Sequence, residues 1–259
     1  MHKRSTRFTF GLLEFVLVAS YLSVAFWLLG WWSGRSTIQQ PERVALAEQY
    51  GASHFSENEE EWAIRDYFRD RRGGFFVDVG ANHFRNNSNT YFLETRLEWS
   101  GIAVEPQREF EADYRKHRPR TRFFPLFVAD KSNDTARLFI TDATSLVASS
   151  QKGFTARWGG TIKEVAAPTV TLNDLLDHET VTRVDLLSID VELHEPQVLA
   201  GFDIARFRPA LVCIEAHPEV RQAILVYFAK SGYVLVGRYL RADGLNLYFE
   251  PLDASVGRR

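Results

Sequence analysis

The chain has 259 residues, 45% of them hydrophobic and 25% charged, with a formal net charge of -2. This is enough for one α/β domain with a well-buried core plus an extra segment, and too little for two large domains. No basic excess exists to neutralise phosphates, which argues against a nucleic-acid partner. The single cysteine, Cys213, cannot form an internal disulfide and, between Val212 and Ile214, reads as a small core residue.

Taken in chain order, Phe8 to Trp32 carries Glu14 as its only charge and is long enough to cross a bilayer. It ends in Trp27, Trp31 and Trp32, the aromatic belt of a helix leaving a membrane and not a small-residue cleavage site. Residues 1–32 are therefore expected to form an uncleaved, single-pass transmembrane anchor, with Glu14 snorkelling towards the headgroups. Lys3, Arg4 and Arg7 precede the segment while Arg35 and Arg43 follow it, a bias that leans towards a cytoplasmic N-terminus. Residues 33–55 read as a juxtamembrane connector with one short helix around Glu42 to Tyr50.

The main domain is expected over 56–259. Its first helix has Ser56 and Glu59 at capping-box spacing, acidic residues from Glu57 to Glu61, basic residues from Arg69 to Arg72, and a stop at Gly73-Gly74. Strands and helices then alternate: FFVDVG (Phe75 to Gly80), a helix near Asn89 to Trp99, IAVE (Ile102 to Glu105), a helix near Arg108 to His117, and RFFPLFVA (Arg122 to Ala129). RLFI (Arg137 to Ile140) adds a strand, and the polar stretch Thr144 to Ala167 is placed as a lid over a ligand crevice. Alternation resumes with a helix near Leu172 to His178, VDLLSID (Val184 to Asp190), a helix near Glu195 to Leu199, and ALVCIEAH (Ala210 to His217). A helix near Val220 to Ser231 and the strands YVLVGRY (Tyr233 to Tyr239) and NLYFE (Asn246 to Glu250) complete the chain. Continuously apolar strands between helices predict a Rossmann-like, doubly wound, mostly parallel sheet with helices on both faces.

Ligands in such sheets sit at the carboxyl ends of the strands. After the first strand, Gly80 permits a tight turn and close backbone approach, and the helix behind it offers free N–H groups. The second strand ends in Glu105-Pro106, the distance downstream at which an acid accepts hydrogen bonds from ribose hydroxyls. Together these form a nucleoside signature. A dinucleotide loop would need glycines where Asn82 and Arg85 stand, and no Gly-Lys-Ser/Thr exists for a P-loop.

The segments FFVDVGANHFRNNSNTYFLE, GIAVEP, VTLNDLL, VDLLSIDVELHEPQVLAGFD and RPALVCIEAH, in that order and spacing, resemble the FkbM family of class I methyltransferases over roughly Ser56 to Pro251. The resemblance implies a seven-stranded sheet with an antiparallel final strand, S-adenosyl-L-methionine as cofactor, and methyl transfer to a hydroxyl of a sugar, polyketide or similar metabolite. It also implies that Asp78, Gly80, Ala81 and Asn82 line the methionine end of the cofactor, that Glu105 holds the ribose, and that Ala129-Asp130 approaches the adenine. Phe84 and Leu193 stand where the family usually has glycine. Bulk at Phe84 is expected to narrow the space beside the cofactor, which motivates a second reading, a non-catalytic binding module that keeps the fold.

Asp190, Glu192, His194 and Glu195 follow one strand and Glu215 and His217 close its neighbour, so the six are expected to converge. Asp190 or His194, with Glu192 beside them, suits a general base for an acceptor hydroxyl. The same groups could hold a divalent metal, although none is assigned, or Glu192 and Glu215 could simply bond loop backbone and His217. The leading expectation is a membrane-anchored O-methyltransferase acting on a small-molecule or glycan acceptor. Its cofactor is made inside cells, which sets a cytoplasmic domain against the charge bias around the anchor and leaves the side of the membrane open.

Overall fold

Leu46 of helix α1 (Pro41–Tyr50) packs on Trp62 of α2 (Glu60–Phe68) and on Ala242, which ties the connector helix to the domain. The computed structural model describes residues 41–51 and 53–256; the expected anchor, Phe8 to Trp32, lies outside them. No helix among the described residues is long and apolar enough to cross a membrane. The cap of α2 closes two residues later than its spacing predicts. The Ser56 hydroxyl accepts the Glu61 N–H at 3.0 Å while the Glu61 carboxylate accepts the Phe55 N–H at 2.8 Å, so Glu61 and not Glu59 closes the reciprocal box.

Seven strands build the main sheet: β1 (Phe75–Val79), β2 (Ser100–Val104), β3 (Thr121–Phe124), β8 (Leu186–Ile189), β9 (Leu211–Glu215), β10 (Tyr233–Leu235) and β11 (Asn246–Pro251). Their order is β10-β11-β9-β8-β1-β2-β3. The pairs around β1, β2, β3, β8 and β9 are parallel, and β11 runs antiparallel between β9 and β10. This is the Rossmann-like sheet, with its antiparallel last strand, that the sequence implies.

Alternate residues of a strand point to opposite faces, so one strand can serve two cores. Val77 and Val79 of β1 join α6 (Leu172–His178), α7 (Glu195–Ala200) and α9 (Pro218–Lys230) on one face. Phe76 joins α2 and α3 (Tyr91–Leu97), together with Trp99, on the other. Cys213 belongs to this second core, and burial pushes its thiol well above the ordinary range.

The run RFFPLFVA is not one strand. Pro125 has no N–H to continue the ladder, and the chain leaves the main sheet after Phe124 to form β4 (Phe127–Val128) in a second sheet of order β4-β7-β5-β6. The stretch placed as a lid supplies β6 (Thr144–Ser149), the short helix α5 (Lys152–Thr155) and most of β7 (Ile162–Val170), and both strands pair with β5 (Thr135–Thr141). Helix α4 (Glu111–His117) matches its predicted span after a single 3₁₀ turn, whereas α8 (Ile204–Phe207) and the terminal α10 (Leu252–Val256) are additions to the predicted set.

Candidate active site

The strand order reverses between β1 and β8, and the crevice opens beyond Val79-Gly80 and Ile189-Asp190. Gly80 adopts φ +82°, and an ideal Cβ there would stand 1.7 Å from the carbonyl oxygen of Asp190. Only glycine lets the two loops approach this closely. They enclose a cavity of about 210 Å³. Gly80, Asn82, Glu105 and Gln107 line one part of it, with Leu126, Phe127 and Val128 as an apolar wall; Asp190, Glu192, Glu215 and His217 line another. The second sheet covers it through Thr144, Leu146 and Val147, with Trp158 at its edge, so the lid expected from sequence is a folded sheet layer. Asn82 Nδ2 and Gln107 Nε2 fasten this cover by donating to the Ser145 carbonyl at 2.8 and 3.1 Å.

Glu105 is 4% exposed, and its two oxygens accept the backbone N–H groups of Asn82 at 3.2 Å and Gln107 at 2.9 Å. Burial outweighs those bonds and raises its pKa to about 7. A carboxylate has four acceptor positions, and these bonds do not use them all.

Among the described residues, six carboxyl groups line the cavity, from Glu57, Glu60, Glu105, Asp190, Glu192 and Glu215, against one imidazole, His217, and no lysine or arginine. Burial, and then repulsion among these neighbours, holds Asp190, Glu192 and Glu215 above the ordinary carboxylate range. A cation entering such a cavity draws these carboxyls back into their ionised form and is held by them, whereas a phosphate finds no cation to pair with among the described residues. His217 Nε2 stands 3.1 Å from Glu215 Oε1 and 3.7 Å from Glu192 Oε2.

Of the predicted site residues, Gly80, Asn82, Glu105, Asp190 and Glu192 come together around the cavity. Four lie off it. Asp78 points to the other face of β1, where it accepts the Thr90 hydroxyl at 2.8 Å. Ala81 turns its carbonyl to the Tyr114 hydroxyl at 3.0 Å. Asp130 is exposed beyond the apolar wall. His194 packs its ring 4.7 Å from that of Phe127, with Nδ1 3.3 Å from the Ser150 hydroxyl, and burial lowers its pKa to about 4. The turn that carries it there has Glu192 and Leu193 both at positive φ, 53° and 76°. Glu195 likewise serves structure, accepting the Val191 N–H at 3.2 Å.

Gln107, Trp158, Glu57, Glu60 and Asn246 line the cavity without having been singled out as ligands. Glu57 and Glu60 are legible in sequence only as charges at a helix start. Phe84 is not in the lining; its ring lies between those of His83 and His117, at 4.5 and 4.7 Å, so its bulk does not narrow the cofactor space.

The family model of the methyltransferase FkbM domain matches residues 78–235, more than half of the chain, from the end of β1 to the end of β10. The chain belongs to the FkbM methyltransferase family. It is 25% identical over 258 residues to the 31-O-demethyl-FK506 methyltransferase FkbM of Streptomyces tacrolimicus, covering 83% of this chain and 94% of that one. Among solved structures it overlaps a TehB-like SAM-dependent methyltransferase from Corynebacterium glutamicum with a TM-score of 0.42 at 13% identity, covering 80% of this chain and 92% of that one. A SAM-dependent methyltransferase from Geobacter sulfurreducens in complex with S-adenosyl-L-homocysteine gives a TM-score of 0.36 at 12% identity, covering 74% and 75%. At these TM-scores the structural likeness adds nothing to the assignment, which rests on the family match. As a member of the FkbM family the protein is a methyltransferase.

Proposed function

We propose that this FkbM-family chain transfers the methyl group of S-adenosylmethionine to a hydroxyl of a small-molecule or glycan acceptor, at a membrane to which Phe8 to Trp32 tether it. The observation that carries the reading is the lining of the switch-point cavity, rich in carboxyl groups and, among the described residues, free of lysine and arginine. The residues present fit this cofactor: Glu105 has acceptor capacity for the ribose hydroxyls, Leu126, Phe127 and Val128 offer an apolar wall for a purine, and the carboxylates suit sulfonium and ammonium charges. When bound, the cofactor supplies an electrophilic methyl group on a positively charged sulfur. Asp190, once the positive charge of the bound cofactor has ionised it, would then take the proton that the acceptor hydroxyl loses as its oxygen accepts the methyl group. Leu146 and Val147 of the covering sheet exclude water from the reacting oxygen.

Calorimetric titration of the full chain with S-adenosylmethionine tests the reading. Saturable binding of one cofactor per chain is expected, and no detectable heat at millimolar cofactor would overturn it. Asp190→Asn should bind the cofactor and lose methyl transfer to hydroxyl acceptors. Flotation with lipid vesicles checks the tether: the full chain should float and a chain beginning at Pro41 should not.

A further inference from the structure

At one end of the cavity, beyond the residues that suit the cofactor, Glu192, Glu215 and His217 each present a ligand atom, all within 4.8 Å of one another. Metal–ligand bonds of about 2.0–2.2 Å place neighbouring ligand atoms roughly 3 Å apart, so the 3.1 and 3.7 Å separations about His217 Nε2 need little adjustment to close on an ion. Glu215 is only 5% exposed, and its second oxygen, Oε2, is buried with no amide, hydroxyl or cationic donor reaching it; the side chain it meets instead is another carboxyl, Asp190. Pairing with His217 accounts for Oε1 alone. Burying two carboxyls against each other without a cation is costly, and among the described residues no lysine or arginine lines the cavity to relieve it. The frame is firm: Glu215 ends β9, His217 precedes Pro218 at the start of α9 with its ring 5.3 Å from that of Phe154, and the Glu192 carbonyl accepts the Ser149 hydroxyl at 2.7 Å.

We propose that Glu192, Glu215 and His217 form a binding site for one divalent cation of the first transition row, such as Mn²⁺, whose open positions take oxygen atoms of the acceptor. Two carboxylates and one imidazole are a mixed oxygen and nitrogen donor set of that preference, and three protein ligands leave room for substrate. The use of the ion to orient the acceptor rests on the methyl-transfer reading; its binding does not.

The test strips the full chain with chelator and titrates it with Mn²⁺ alone, following loss of the free-ion signal by electron paramagnetic resonance. One Mn²⁺ per chain is expected, with affinity at least about tenfold lower in Glu215→Gln and in His217→Ala and unchanged in Glu164→Gln on the exposed part of β7. Absence of stoichiometric binding to the unaltered chain overturns the site whatever the variants do, and so does equal binding by folded Glu215→Gln and His217→Ala. Cofactor calorimetry on the same samples separates the two ideas: cofactor binding without Mn²⁺ binding removes the metal site alone, and Mn²⁺ binding without cofactor binding removes the methyl-transfer reading alone.

Discussion

The carbonyl oxygen of Asp190 occupies the place where Gly80 would carry a side chain, 1.7 Å from an ideal Cβ. Both residues follow central strands of the sheet, and the Asp190 N–H is fixed to the Val79 carbonyl at 2.9 Å, so neither loop can retreat without breaking the β1–β8 junction. Gly80→Ala meets this backbone clash and also a φ of +82°, which by itself costs a residue with a Cβ roughly 1–2 kcal/mol. The substitution should destabilise the protein by about 3 kcal/mol or more and abolish cofactor binding. A urea midpoint indistinguishable from the parent would show that the loops separate easily.

Glu105 makes cofactor affinity depend on pH. Its folded pKa of about 7 lies above its ordinary 4.5, so between those values the folded chain holds a proton that the unfolded chain has released. Stability without cofactor therefore falls as pH rises through this window, by about 3 kcal/mol from this group. Ribose hydroxyls donate to the ionised carboxylate, so the affinity runs the other way. The dissociation constant for S-adenosylmethionine should decrease about tenfold from pH 6 to pH 8, and Glu105→Gln should flatten that profile. Calorimetry across the range decides; a flat profile in the parent would remove Glu105 from the ribose.

Arg118 is fully buried and ion-paired to Glu94, and it also donates to the Phe84 carbonyl at 2.9 Å, to Thr90 Oγ1 at 3.1 Å and to Thr121 Oγ1 at 3.3 Å. It thus supports the loop after β1 from below. Arg118→Met leaves Glu94 as a buried charge without its cation and should cost about 3–5 kcal/mol. Adding Glu94→Leu removes the orphaned charge and should return most of that loss. Urea titration of single and double variants checks this, and a double variant no more stable than Arg118→Met would contradict it.

Much of this was legible because strands buried on both faces, such as Leu186–Ile189 and Leu211–Glu215, are apolar but for Ser188 and the closing Glu215 and need no tertiary context to recognise. The second sheet was not: β7 buries only Ala167 fully, so no apolar run marks it, and Pro125 hides the change of sheet inside one hydrophobic stretch. The site shows the same boundary. Glu192-Leu193-His194 and Glu215-Ala216-His217 share a spacing, yet only His217 lines the cavity. Two residues at positive φ turn His194 away, whereas extended backbone at His217 keeps it in, and spacing alone does not encode that difference.

Leu193 is the sharper of the two departures from glycine, because it keeps glycine's backbone conformation without being glycine. It has φ +76° and is 3% exposed in the main core. Truncating a buried leucine costs roughly 3–5 kcal/mol, more than the roughly 1–2 kcal/mol of left-handed strain that a glycine would relieve, so Leu193→Gly should be destabilising despite restoring the usual residue. Leu193→Ala loses nearly the same packing and keeps the strain. Glycine ordinarily ranks below alanine by about 0.5–1 kcal/mol through its freedom in the unfolded chain, but here the relief of strain matches or exceeds that term. The expected order of urea midpoints is parent, then Leu193→Gly, then Leu193→Ala at or below it. An alanine variant clearly more stable than the glycine variant would mean that Leu193 carries no left-handed strain in solution.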